Sequence, residues 1–229
     1  MATSGTTSFD LTIDEIIEEA FNRCGIRPNS GDDIKRARRN LNILFSEWGN
    51  RGVHLWKVEQ DEVALVAGQG SYTVASDVSD VLEAFISTTA GVTASTQDVS
   101  ITKIDRSAYA ALPNKGATGQ PSQYYVDRQT TPVIYLYQAP DAVTYTHLKY
   151  YVLKRIEDAG AYTNNADVVF RFQPCMVAGL AYYLSFHYSA ERTQMLKLAY
   201  EDEMKRALDE DGKRTSLYIS PPTSFVDGV

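Results

Sequence analysis

Between residues 30 and 52 the chain reads SGDDIKRARRNLNILFSEWGNRG, with Ile34, Ala37, Leu41, Leu44 and Trp48 at steps of three and four. Phe45 widens the same stripe. That spacing predicts an amphipathic helix that buries one face against other helices. Ser30 or Asp32 can cap its first turn, Asp32 and Asp33 suit the positive end of the helix dipole, and Gly49 and Gly52 mark its end. A shorter helix precedes it over 12–24. Thr12 and Glu15 have capping-box spacing, Ile13, Ile16, Ile17, Ala20, Phe21 and Cys24 form one apolar face, and Gly25 stops it. The short IRPNSG turn between the two predicts an antiparallel pair.

After Gly52 the period changes from helical to two. Val53, Leu55, Val58, Val63, Leu65 and Tyr72 alternate among polar residues, and GQGS predicts a tight hairpin turn. Further strands are predicted over 81–87, 99–104, 123–127, 133–137 and 143–153. TTAGVTASTQ (88–97) reads as a small-residue loop, and 107–112 as one helical turn. Prolines 121, 132 and 140 sit at strand ends, where a missing amide does least harm. A polar connection over 155–167 leads back to helix near Pro174, with Met176, Val177, Leu180, Ala181 and Leu184 as its buried face. Gly179 and Ala181 leave room for a close neighbour. A last helix over 191–211 carries Leu196, Ala199, Tyr200, Met204, Ala207 and Leu208 and ends at Gly212.

These elements give an α+β fold: an antiparallel helix bundle from the N- and C-terminal helices, with an inserted antiparallel β-sandwich or barrel. The expected organisation is a helical domain from 1–52 and 168–211, a β domain over 53–167 and an extended C-terminal arm over 212–229. The arm holds apolar Leu217, Tyr218, Ile219, Phe225 and Val226, which free tails usually lack, so something is expected to receive it. The first ten residues read as a second arm, with neither the basic nor the apolar region of a secretory signal.

Composition narrows the function. A net charge of −7 argues against binding nucleic acid by neutralising phosphates. No apolar run approaches the ~20 residues that span a bilayer. Cys24 and Cys175, on separate predicted helices, read as reduced thiols in a cytosolic setting. The 15 tyrosines fit either an interface or simple strand packing.

No constellation for chemistry emerges. His54, His147 and His187 stand alone on different elements, and no Cys-x-x-Cys or G-x-S-x-G occurs. GQGSY lacks the lysine and the strand-loop-helix context of a phosphate loop. The paired acids Glu18/Glu19, Asp32/Asp33 and Glu201/Asp202/Glu203 fall on helix surfaces. No catalytic residue, cofactor or metal is therefore assigned, and the chain does not read as an enzyme. The sharpest charge feature is the run Lys35, Arg36, Arg38, Arg39, placed where the helix dipole disfavours cations. Either it pairs within the helix, through Asp32, or it meets an acidic partner or neighbouring subunit.

Four segments together resemble the head-to-tail adaptor proteins of short-tailed bacteriophages, of the tail tubular protein A and tail accessory factor type. They are the first helix closing in CGI, ARRNLNILFSEWGNRGVHLW (37–56), GQPSQYYVDRQTTPVIYLYQAPD (119–141), and VVFRFQPCMVAGLAYYLSFHYS (168–189) with the charged helix after it. The resemblance implies a virion structural protein at the head-tail junction, made in the host cytoplasm. It implies a homo-oligomeric ring, usually dodecameric, docked under the portal protein, contacting a tail nozzle protein or tail fibre, and passing DNA without sequence-specific binding. In that setting the basic run and the apolar arm are the candidate partner-binding residues. Two rivals remain: a tail-associated carbohydrate-binding module on the tyrosine-rich strands, and a tail-associated hydrolase using carboxylates of the β region.

Overall fold

The computed structural model describes residues 5, 9–53 and 55–211. The fold is mixed α+β. Its helices are α1 (Ile13–Cys24), α2 (Gly31–Arg51), the short α3 (Arg106–Ala111), α4 (Gln173–Tyr188) and α5 (Thr193–Asp211). Its strands are β1 (Val58–Ala64), β2 (Ser71–Thr73), β3 (Val78–Ser87), β4 (Asp98–Lys103), β5 (Thr118–Gly119), β6 (Gln123–Asp127), β7 (Val133–Tyr137), β8 (Ala139–Pro140) and β9 (His147–Lys154).

The helix ends form where the sequence places their caps. The Thr12 hydroxyl and amide both meet the Glu15 carboxylate, at 2.8 and 2.9 Å, and Gly25 closes α1 at φ +77°. Ser30 caps α2, and its amide donates to Asp33 at 3.2 Å in the reciprocal contact. Gly52, at φ +78°, closes α2 by donating to the Trp48 and Gly49 carbonyls. Gly49 thus lies inside the helix and does not end it, because only Gly52 adopts the left-handed closing conformation.

Helix α4 is apolar all round. Cys175, Met176, Val177, Ala178, Leu180, Ala181 and Leu184 are all buried, which leaves no polar face for water. The five-residue face expected from the sequence is therefore too narrow. Helices α1, α2 and α5 each pack against α4, while α1 and α2 touch each other little. The two helices also share α4 as their floor. Gly179 makes the closest approach possible: a Cβ there would lie 2.9 Å from Leu44 Cδ1 and 2.9 Å from Tyr200 Cε2. Ala37, Leu41, Leu44, Phe45 and Trp48 of α2 are buried in the same cluster, and Ile34 is half-buried at its edge.

The connection after β9 is part of this packing. Its Asn164 and Tyr162 carbonyls accept from the Ile13 and Asp14 amides, at 2.9 and 3.1 Å, and so satisfy the free N–H groups of the α1 start. The Asn42 side chain accepts from the Ala159 amide at 2.7 Å. Lys57 and Asp167 form an ion pair of 2.7 Å, with the lysine mostly buried.

The strands form one curled, half-barrel sheet of seven, in the order β1-β9-β3-β4-β6-β7-β2, and β5 pairs with β8 separately. The β region is therefore open between its edges β1 and β2, not a sandwich or closed barrel. Nor is it wholly antiparallel, because β4 pairs with β6 and β5 with β8 in parallel. The GQGS turn makes no β1–β2 hairpin: β1 pairs with β9 and β2 with β7, at opposite edges. Period-two positions such as Ala84 and Ile86, Tyr124 and Val126, Ile134 and Leu136, and Leu148, Tyr150 and Val152 fill a second buried cluster on one face. Glu59, Asp61 and Glu62 on edge strand β1 put charge where another strand could add.

A side chain at 179 has nowhere to go. Gly179→Val is expected to lower unfolding free energy by about 1–3 kcal/mol, read by urea denaturation; stability equal to the parent's would show that Leu44 and Tyr200 give way.

Candidate assembly interface

The basic run occupies the first two turns of α2, and its four cations are not equivalent. Arg36 Nη1 donates to the Tyr188 hydroxyl at 3.0 Å and its guanidinium lies over the Tyr188 ring, 5.6 Å from the centroid. The Tyr188 hydroxyl in turn donates to Asp33 Oδ1 at 2.6 Å. Arg36 is thus bound to the end of α4, not to Asp32 in its own helix. Arg38 lies over the Tyr162 ring, 5.8 Å from the centroid, and holds the connection. Lys35 makes the predicted local pair, 3.4 Å from Asp32, with both side chains well exposed. Such a pair contributes little. Arg39 is exposed and makes no hydrogen bond or ion pair among the described residues.

The two outward cations share a face. Lys35 and Arg39 are four residues apart, and each follows an inward-leaning residue, Ile34 or Arg38, by one position, about 100° round the helix. All four are exposed, and their partners divide the run: Arg36 and Arg38 hold tyrosines of other segments, Lys35 holds only Asp32 in its own helix, and Arg39 makes no ion pair among the described residues.

The other end of α2 is held by a network that sequence reading missed. Trp48 Nε1 donates to the Tyr200 hydroxyl at 3.0 Å, and that hydroxyl donates to Glu47 Oε2 at 2.7 Å. Arg51 donates from two nitrogens to Glu201, each at 2.8 Å, pairs with Glu47, and lies over the Tyr200 ring. Burial, then the Glu47 carboxylate, pushes the Tyr200 hydroxyl well above its ordinary value. The Arg51 fork holds Glu201 below the usual carboxylate range. The signal was available: Glu47 and Arg51 are four apart on the edge of the apolar stripe. Their partners lie about 150 residues away, however, and periodicity does not pair distant helices.

The remaining candidates sort as follows. Leu217, Tyr218, Ile219, Phe225 and Val226 lie outside the described residues. Cys24 and Cys175 are buried thiols, and burial pushes Cys175 up to about 12 and raises Cys24 as well. Several tyrosines are absorbed by packing: Tyr72, Tyr124, Tyr150 and Tyr200 are buried. Tyr125 and Tyr135, opposite each other on β6 and β7, stack 6.1 Å apart, and Tyr109 of α3 covers them. The small-residue loop after β3 is anchored by Lys149 of β9, whose buried ammonium donates to the Gly91 carbonyl at 2.5 Å and to Asp98 at 3.2 Å. Among the described residues no three metal-ligating side chains gather, and no helix is long and apolar enough to cross a membrane.

A groove of about 610 Å³ runs along α1 and α4. Phe9 and Phe170, both well exposed, stand in its walls with Leu11 and Val177, and Glu15, Glu18 and Glu19 rim it. Gln173 is buried there. Its amide nitrogen donates to Asp10 at 3.0 Å, and its Oε1 has no donor among the described residues.

Asp33 carries a pH signature. The Tyr188 hydroxyl, then the Asn29 amide, hold its carboxyl below the ordinary 3.8. A depressed carboxyl contributes stability that is full above its unfolded value and is lost as pH falls through the lower folded one. Tyr188→Phe is expected to lower the melting temperature at pH 7 and to shrink the stability lost between about pH 4 and more acid solution. A carbon-13 titration of Asp33 checks this; an Asp33 pKa unchanged by the substitution would contradict the assignment.

Compared with known proteins, the chain matches a family model described as SU10 adaptor protein over residues 11–223. None of the curated proteins matches it.

Proposed function

The chain belongs to the SU10 adaptor protein family, a family of phage head-tail adaptors, and we propose that it works by assembly: copies close into a ring beneath the portal and continue the DNA channel toward the tail. The family match over nearly the whole described chain carries this reading. The structure lends it support of three kinds.

First, the helical cluster is braced from within. The Trp48–Tyr200–Glu47 and Arg36–Tyr188–Asp33 networks tie α2 to α4 and α5, so the cluster can pack sideways as a preformed block. Second, cations and carboxylates remain on its outer faces, which suits neighbours placed by charge. Third, a net charge of −7 suits a channel along which DNA must slide without sticking.

In this reading residues 1–52 and 168–211 make the helical domain, arranged as a bundle, and 53–167 the β domain that meets the tail nozzle or a fibre. The 212–229 arm carries Leu217, Tyr218, Ile219, Phe225 and Val226 to the portal. The ring is expected to be twelve-fold. The role needs no catalytic group.

Native mass spectrometry of the full chain with its cognate portal ring is expected to show one adaptor copy per portal subunit; a chain that stays monomeric and ignores the portal would contradict the reading. Removing 216–229 is expected to weaken portal docking at least tenfold while leaving the melting temperature within about 2 °C of the parent's. Undiminished docking by the shortened chain would remove the arm from the account.

A further inference from the structure

Helix α2 presents Lys35, held only by an exposed pair with Asp32, and Arg39, which makes no ion pair among the described residues, and α1 and α4 present a groove that can receive them. On the donor side Lys35 and Arg39 form one outward face, free of the constraints that hold Arg36 and Arg38. On the acceptor side three features converge in the α1/α4 groove. The first is charge: Glu15 and Glu19 are occupied, by Thr12 and by Arg23 at 3.2 Å, but Glu18 is exposed and makes no ion pair among the described residues. The second is aromatic surface: Phe9 and Phe170 are 62% and 67% exposed, and guanidinium planes stack on such rings. The third is an unmet acceptor: Gln173 is 6% exposed and its Oε1 has no donor among the described residues.

A buried acceptor, a free carboxylate and open aromatic faces in one groove fit a cationic donor with an apolar stem. Lysine and arginine side chains are of that kind. We propose that the α1/α4 groove of one copy receives the Lys35 and Arg39 face of a second copy of this chain, with Arg39 between Glu18 and the exposed phenyl rings. The inference rests on the ring reading and names the two faces that meet. Because donor and acceptor are different surfaces, the contact is heterologous, the kind that propagates around a ring instead of closing a dimer.

Charge reversal on each side separates this contact from the ring itself. One full-length variant carries Lys35→Glu and Arg39→Glu; the other carries Glu18→Lys and Glu19→Lys. All four side chains are on helix surfaces, and melting curves matching the parent's confirm that each variant folds. Sedimentation, alone and with the portal, reads assembly. The parent is expected to assemble. Each variant alone is expected to assemble at least tenfold more weakly, and an equimolar mixture of the two to recover, since each acidic face then meets a basic one. In the parent, carbodiimide coupling of a mixture of nitrogen-15 and nitrogen-14 copies is expected to join Glu18 of one copy to Lys35 of another.

If both variants assemble like the parent, or if folded variants fail to recover on mixing, the paired faces are wrong while the ring reading stands. If the parent itself never assembles, with or without the portal, the ring reading falls and takes this inference with it.

Discussion

From Cys175 to Ala181 helix α4 has no face to show to water. Every residue of that stretch is buried and apolar or small, so it is stable only when covered on all sides. That requirement organises the helical half of the molecule. It draws in α1 and α2 from one end of the sequence and α5 from the other, and makes α4 the floor on which α1 and α2 both rest. It also makes Gly179 necessary, because Leu44 and Tyr200 must pass within van der Waals reach of the same backbone. Hydrogen bonds then fix the rotation and register that packing leaves open. Tyr188 at the foot of α4 binds Asp33 and Arg36 at one end of α2, and Tyr200 of α5 binds Trp48 and Glu47 toward the other. The β region contributes its own cluster on one face of a curled sheet, and the 155–167 connection sends carbonyls to the α1 start and an amide to Asn42.

The consequence for function is a division of labour among like residues. Charges near the seams are spent on bracing: Arg36, Arg38, Arg51, Lys57 and Lys149 each hold a partner within the chain. Charges on the outer faces, such as Arg39 and Glu18, hold no ion pair among the described residues, and Lys35 holds only its exposed neighbour Asp32. A protein whose task is to fit between other subunits needs both kinds. The first keeps its shape, and the second directs its neighbours.

Much of this was legible in the sequence. The capping box at Thr12, the Ser30 cap and the glycines at 25 and 52 fixed both ends of α1 and α2, because caps are local chemistry. Strands β6 and β7 coincide with their expected ranges, since clean alternation bounded by turn residues has one local solution. What escaped was non-local. Strand pairing cannot be read from GQGS, so the turn looked like a hairpin although it joins the two edges of the sheet. Parallel pairing of β4 with β6, and the short β5 and β8, have no local signature either. The uninterrupted apolar run at the start of α4 did announce burial on every side, which a single apolar face understates. In the candidate interface, the sequence drew attention to four cations together. Only the positions of Tyr188 and Tyr162 separate the two that brace other segments from the two that do not.

The central claim is that a prebuilt helical block meets its neighbours through its outer faces and its arm. Hydrogen–deuterium exchange, on the free chain and again on the assembled particle, tests it most directly. The account predicts that amides of α4 and of the buried turns of α2 and α5 are already protected in the free chain. On assembly, new protection should then fall on the start of α2, the outer face of α1 and residues 212–229. Rapid exchange across α4 in the free chain, with protection of the helical core arising only on assembly, would contradict it.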